Sequence, residues 1–396
     1  MNDQIGKGLL PPGMNDILPP EAGFETATVN RLLRVFRNNG YEQVKPPLVE
    51  FEASLLGGAG AAMTGQTFRL MDPVSHAMLG MRADMTLQVA RIATTRLAHV
   101  PRPLRLCYAG QVLQVAGSQM RPERQVGQAG VELIGSQSPR ADAEVIALAH
   151  EALADIGVER LSADLNVPTL VPAVAAALGL GGEGAARARA ALDRKDAGEI
   201  AALGGNVAAL FKALLKAAGP AEAALGALDA LDLPPAARDA VGRLAEVVAL
   251  VAEAAPNLKL TVDPVENRGF DYHTGVTFVL FAPGVRGELG RGGRYLAGGA
   301  DGTTAAAAAA APDGAEPATG FTLFMDSVIR ALPPATAPER VYVPVEAGPQ
   351  ARRALQAEGW MTVSGLEAGA DPRAEAVRLR CSHVLLGGRP VPLVDI

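Results

Sequence analysis

The chain has 396 residues, of which 49% are hydrophobic and 20% charged; this is the profile of a globular protein of two or three domains and excludes an intrinsically disordered chain. A formal net charge of −6 argues against a nucleic-acid binder, because phosphate neutralisation needs clustered Lys and Arg. The two cysteines, Cys107 and Cys381, form no CxxC pair, and His383 near Cys381 has no further ligands beside it in sequence, so neither a disulfide framework nor a metal site is expected.

The N-terminus has no apolar signal core, and no segment approaches the roughly 20 uninterrupted apolar residues of a membrane span. The expectation is a cytoplasmic protein with no membrane contact. Residues 1–20 carry the pairs Pro11-Pro12 and Pro19-Pro20 and read as an extended arm. Val29, Leu32, Leu33 and Phe36 then fall at i, i+3, i+4 and i+7, which predicts a helix from Glu21 to Asn39, stopped by Gly40 in a left-handed cap. Tyr41–Glu50 reads as a strand running into Pro46-Pro47. Thr67–Met71 and Ala77–Met81 read as two strands around the turn 72–76. A helix follows from Asp84 to His99. Leu104–Val115 and Val126–Gly135 are two longer strands joined by a polar loop, and Ala141–Ile156 is a helix.

From about 170 to 255 the composition shifts to Ala, Leu and charge, with Gly or Pro breaks near 179–182, 204–205, 218–219 and 234–235; this predicts a helical insertion. Strands resume at Lys259–Asp263, Val276–Phe281 and Glu288–Gly290. The Ala-rich stretch within 298–314 reads as a loop, and Phe321–Ala331 as a helix. Pro333–Pro338 is a linker. Residues 339–396 alternate strand and helix, which predicts a small α/β unit with a parallel sheet. The expected organisation is therefore a domain over 1–332, including the insertion, and a C-terminal α/β domain over 339–396. The main body has no GxGxxG after a strand and no P-loop; the plan is α+β.

Several segments, in order, resemble histidyl-tRNA synthetase. They are Pro12–Asp16, Gly40-Tyr41 with Pro47–Glu50 as class II motif 1, Arg82–Thr86, and Tyr108–Glu132 as motif 2. Asn267–Gly275 resembles the histidine-specific Arg-Gly-Leu-Asp-Tyr-Tyr signature, Gly292-Gly293-Arg294-Tyr295 the Gly-Gly-Arg-Tyr strand, and Gly320-Phe321 the opening of motif 3. The resemblance covers about 10–330 and implies a class II aminoacyl-tRNA synthetase-like antiparallel sheet flanked by helices, with a dimer interface at motif 1.

Free histidine offers an ammonium, a carboxylate and an imidazole. In such a fold Asp84 and Thr86 offer acceptors for the ammonium. Gln128 and Glu132, four apart on a strand, face one side; Gln128 bridges to the amino acid and Glu132 accepts an imidazole N–H. Tyr272 serves the other ring nitrogen, Arg268 is the carboxylate fork, and His273 completes the set. Each of these has a plainer reading as well: Asp84 can simply cap the helix that follows.

The departures from the family lie where ATP is handled. The motif 2 Arg that would sit on the α-phosphate is Gln114, and the Glu on the adenine side is Ala116. Motif 3 should end Gly-Leu-Glu-Arg and reads Phe324-Met325-Asp326-Ser327, so its Arg is Ser327. Losing one transition-state donor costs about 2.7–4 kcal/mol, and losing two charged ones on the order of 10⁴-fold in rate or more. Arg124 offers another path to a phosphate. The tail after Pro338 has scattered Arg, no Lys and interleaved acids, so tRNA binding is not expected.

A chain that keeps a histidine pocket and loses ATP chemistry resembles the regulatory subunits that accompany the short form of ATP phosphoribosyltransferase. That resemblance implies a non-catalytic protein with no cofactor of its own. It also implies a hetero-oligomer with the catalytic chain, usually octameric, needed for activity and for feedback by histidine. Two other readings stay open: an amino-acid ligase, which would show ATP–pyrophosphate exchange, and a histidine-binding scaffold with another client.

Overall fold

The computed structural model describes residues 9–57, 63–117, 121–266, 272–298 and 315–393. Two compact units emerge: Met1–Ile17 with Glu25–Pro333, and Leu18–Phe24 with Pro334–Ile396.

The first helix is α1 (Glu21–Asn38), whose Leu32, Leu33, Val35 and Phe36 are buried; Gly40, at φ +83°, turns the chain out of it. The expected strand over Tyr41–Glu50 is instead two pieces in two sheets. β1 (Glu42–Gln43) pairs parallel with the main sheet and β2 (Val49–Phe51) with a small one. The separation falls at Pro46-Pro47, which supply no N–H to a ladder. A short helix α2 (Glu52–Leu55) follows, then β3 (Arg69–Met71) and β4 (Met78–Met81), which complete the small antiparallel sheet.

Helix α3 (Thr86–Thr95) leads into the long hairpin β5 (Leu104–Leu113) and β6 (Gln125–Ile134). Helix α4 (Pro139–Ile156) has an explicit start and stop. The Ser138 hydroxyl accepts from the Arg140 N–H, Pro139 occupies the first turn, and Gly157 closes it at φ +104°. β7 (Ser162–Asn166) comes next, a strand the sequence reading did not anticipate.

The insertion is helical as expected: α5 (Leu170–Ala177), α6 (Gly182–Asp193), α7 (Ala197–Ala202), α8 (Gly205–Lys216), the two-residue β8 (Gly219–Pro220), α9 (Ala221–Asp229) and α10 (Pro235–Ala254). The main sheet resumes with β9 (Lys259–Val262), β10 (His273–Phe281), β11 (Gly290–Ala297) and β12 (Glu316–Phe324), and α11 (Met325–Arg330) ends the unit. Two expectations are corrected here. The strand placed at Glu288–Gly290 begins at Gly290 and runs to Ala297. The helix placed at Phe321–Ala331 is strand up to Phe324 and helix only from Met325 to Arg330. From Ala318 onward β12 is buried on both faces, so its sequence shows no alternation and reads like a buried helix.

Among the described residues the main sheet has the order β1-β5-β6-β12-β11-β10-β7-β9-β8. It is antiparallel except where β1 meets β5 and β7 meets β9. Helix α3 covers the sheet with Met85, Val89 and Ala93 against Leu106, Tyr108, Val112 and Tyr295. The result is the α+β, synthetase-like sheet flanked by helices that the resemblance implied.

The smaller unit carries β13 (Arg340–Val343), α12 (Gly348–Ala357), β14 (Met361–Ser364), α13 (Pro372–Arg378), β15 (His383–Leu386) and β16 (Arg389–Pro392). β13 pairs parallel with β14 and β15, as expected, while β16 adds an unforeseen antiparallel edge. Alternation along β13 builds two cores: Val341 and Val343 pack with Leu355, and Tyr342 with Ala376 and Val384.

Candidate functional site

The residues Asp84, Thr86, Glu132, Tyr272 and His273, scattered over nearly 190 positions, line one cavity together with Arg291, Gly292, Gly293, Tyr295, Gly320, Phe321, Thr322 and Phe324. Its volume is about 50 Å³, well below the roughly 300–1,000 Å³ of small-ligand sites, so a bound amino acid requires the lining side chains to move apart. Strand register brings them together. Gly320 of β12 sits opposite both Glu132 of β6 and Gly293 of β11, while His273 of β10 sits opposite Tyr295.

Glu132 forms the floor and is 1% exposed. It fits only because Gly320 lies beside it: a Cβ on Gly320 would stand 2.0 Å from Glu132 Oε2 and 2.4 Å from the Val131 carbonyl. Tyr295 donates its hydroxyl to Glu132 Oε2 at 2.9 Å and Tyr108 donates to Oε1 at 3.3 Å. Tyr108 also shares hydrogen bonds with Thr322 (2.7 Å) and Thr86 (3.3 Å). Burial pushes the Glu132 carboxyl up to about 8, outweighing the lowering by the Tyr295 hydrogen bond. At neutral pH this group therefore keeps its proton, so it can donate to an imidazole nitrogen as well as accept from one. The same burial drives the Tyr108, Tyr272 and Tyr295 hydroxyls well above their ordinary range, so all three stay protonated donors.

Asp84 performs two tasks. Its Oδ1 accepts from the Thr86 N–H at 2.8 Å in a local turn one residue ahead of the helix cap, which is Met85, and its Oδ2 accepts from Gln128 Nε2 at 3.0 Å. Asp84 thus stands on the cavity wall and is not itself the cap residue of α3. Gln128 is buried, with its Oε1 taking the Met85 N–H at 3.2 Å; it fixes the 84–86 segment from behind rather than lining the cavity. Tyr272 packs edge-on to Tyr295 and tilted over His273, ring centroids 6.1 and 4.1 Å apart. Arg268, the expected carboxylate fork, lies outside the described residues, as do Asp271 and the Ala-rich run 305–311.

The positions expected to handle phosphate carry no cationic side chain. Gln114 follows β5; its N–H donates to the Arg124 carbonyl at 2.7 Å and its carbonyl accepts from Arg124 Nε at 3.3 Å. Arg124 itself turns to the N-terminal arm, donating to the Pro12 carbonyl at 3.2 Å and lying over Phe68. Ser327 is 0% exposed, and its hydroxyl accepts from Arg330, which also binds Asp326.

Sequence reasoning passed over Thr322, Arg291 and Phe324 as cavity groups, and Tyr108 as a partner of Glu132. Tyr108 and Phe324 stand inside the segments that carry the resemblance, and Arg291 immediately precedes Gly292-Gly293. Their roles depend on register between strands, which no local pattern encodes. Among the described residues no group of three or more His, Cys, Asp or Glu could hold a metal, and no helix is long and apolar enough to cross a membrane.

A family model described as histidyl-tRNA synthetase matches residues 13–328. The chain is 56% identical over 385 residues to a protein of Paramagnetospirillum magneticum named ATP phosphoribosyltransferase regulatory subunit, covering 97% of this chain and 98% of the relative. It is 54% identical to a protein of the same name from Rhodospirillum centenum, covering 98% and 97%. Among solved structures, an ATP phosphoribosyltransferase regulatory subunit/histidyl-tRNA synthetase from Bacillus halodurans shares the fold at TM-score 0.81 and 22% identity over 97% of this chain and 99% of that one. A histidine–tRNA ligase subunit from Alicyclobacillus acidocaldarius aligns at TM-score 0.65 and 30% identity, covering 82% and 97%.

Proposed function

Because the chain belongs to the histidyl-tRNA synthetase family and, within it, to the ATP phosphoribosyltransferase regulatory subunits, we propose that it binds L-histidine in the Glu132 cavity. Through that binding it controls a short-form ATP phosphoribosyltransferase catalytic chain at the first step of histidine biosynthesis. One observation carries the reading: the buried floor of the cavity offers donors and acceptors suited to an imidazole amino acid, while the two positions that would carry phosphate-binding arginines are Gln114 and a fully buried Ser327. The subunit acts in a cytoplasmic hetero-oligomer, an octamer by the family's habit, and self-associates through the motif 1 interface. It has no tRNA partner.

Histidine shifts the assembly from an active to an inhibited state through a coupling of about 1–3 kcal/mol, which requires different histidine affinity in the two states. Two assays test this: histidine-dependent ATP–pyrophosphate exchange on the chain alone, and transferase activity after mixing with the short catalytic chain of the same organism. The expected result is no exchange, and activation of the mixture that histidine suppresses. Robust exchange with no effect on the transferase would return the protein to the synthetases.

A further inference from the structure

The far end of the cavity is built from groups that the function above does not use. Arg291 lies opposite Thr322, two residues along β12 from Gly320, which faces Glu132. At about 3.3 Å per residue and about 4.8 Å per strand, the Arg291 backbone stands roughly 7 Å along the strands and, with β12 between β6 and β11, roughly 10 Å across the sheet from Glu132. The distal ring nitrogen of histidine and its carboxylate are separated by roughly 6 Å, given bonds of about 1.3–1.5 Å. A ring held at Glu132 leaves its carboxylate to be met by the long Arg291 side chain, which lines the same cavity.

Glu288 accepts from Arg291 Nε at 3.1 Å and from Arg121 Nη2 at 3.0 Å, and the three side chains are 13%, 33% and 23% exposed, respectively. The central carbon of the Arg121 guanidinium lies over the Phe324 ring, 3.8 Å from its centroid. Phe324 stands where motif 3 of the resembled family has the Gly of Gly-Leu-Glu-Arg, so an aromatic ring with a stacked guanidinium fills what a glycine would leave open. A guanidinium presents five donors in a planar fork, so pairing with Glu288 is compatible with pairing to a ligand carboxylate.

We propose that Arg291 binds the free carboxylate of the amino acid, and that the Arg121–Phe324 stack seals the cavity beyond it. The site then accepts an α-amino acid and rejects the same molecule extended at its carboxyl group. Arg291, Arg121 and Phe324 are thus specificity determinants, and the proposal rests on the histidine reading of the cavity.

Calorimetric titration of the full chain with L-histidine, histidinol and histidine methyl ester tests it, with unfolding midpoints recorded for every variant. The wild type is expected to bind histidine at least tenfold more tightly than either analogue. Arg291→Gln is expected to weaken histidine at least tenfold and to leave histidinol within about twofold. Phe324→Gly with Arg121→Ala is expected to bring the ester within about threefold of histidine; Arg121→Ala alone, which leaves the buried ring in place, should move in the same direction if the double variant fails to fold. Equal wild-type affinity for histidine and its ester, or parallel losses for histidine and histidinol in Arg291→Gln, would overturn the proposal while leaving the histidine site standing. A wild type that binds no histidine would remove both.

Discussion

The two ends of the cavity are made differently. At the Glu132 end every group is locked: the carboxyl lies under Gly320, between two tyrosine hydroxyls, on the central strands β6, β12 and β11. At the other end Arg291 and Phe324 line the cavity near strand ends, and Glu288 and Arg121 stand behind them as their partners. The positions that once would have faced ATP have become neutral, at Gln114 and Ser327. The proposed amino-acid site is therefore built into the packing of the sheet, whereas the two positions expected to meet phosphate differ from the family by single side chains, Gln114 in a half-buried loop and Ser327 in the interior.

The largest expected effect tests the locked end. Gly320→Ala forces a methyl group against Glu132 and the Val131 carbonyl, so it should cost about 3 kcal/mol and abolish histidine binding. Denaturant unfolding and calorimetry check both, and a variant of wild-type stability would show that the floor is looser than its geometry. Next, Ser327→Arg places a charge where the side chain is fully buried. It should destabilise by roughly 3 kcal/mol or more, whereas Gln114→Arg, in a half-buried loop, should stay within about 0.5 kcal/mol. Neither is expected to restore pyrophosphate exchange; restored exchange from either single change would mean the far end had lost only one charge.

Glu132→Gln comes third, with an expected loss in histidine affinity of at least tenfold, the scale of leaving one buried hydrogen-bonding group unsatisfied at about 1–3 kcal/mol. The fourth test is pH dependence. The folded Glu132 titrates near 8, above its ordinary 4.5, so the folded state binds that proton more tightly than the unfolded one. Its contribution is fully present below pH 4.5 and is lost progressively as pH rises to 8. Wild type should therefore lose stability relative to Glu132→Gln between pH 5 and 8, and the difference should level off above 8. Melting temperatures of the two proteins across that range decide it, and a constant difference would place the carboxyl in a wetter setting.

Legibility followed the same divide. Helix α1, the hairpin β5–β6, α4 and the helical insertion were readable, because their caps, breaks and periodicity are local. β7 was missed because Ser162-Ala-Asp-Leu-Asn166 is poor in β-formers and gains its place by lying between β10 and β9. β12 was misread because burial on both faces erases alternation. Of the site, Asp84, Thr86, Glu132, Tyr272 and His273 were named through the family segments and meet in one cavity. Arg291 and Phe324 were not, since only pairing of β11 with β12 brings them there. Gln128 was named, but its amide is spent on Asp84 and Met85.

The central claim, that histidine acts through the Glu132 cavity on a partner enzyme, is tested most directly by histidine inhibition of the reconstituted transferase with wild-type and Glu132→Gln subunits of equal stability. The account predicts that both subunits activate the catalytic chain and that the variant needs at least tenfold more histidine for half-inhibition. Unchanged inhibition with a subunit that no longer binds histidine would contradict it and put the inhibitory site elsewhere in the complex.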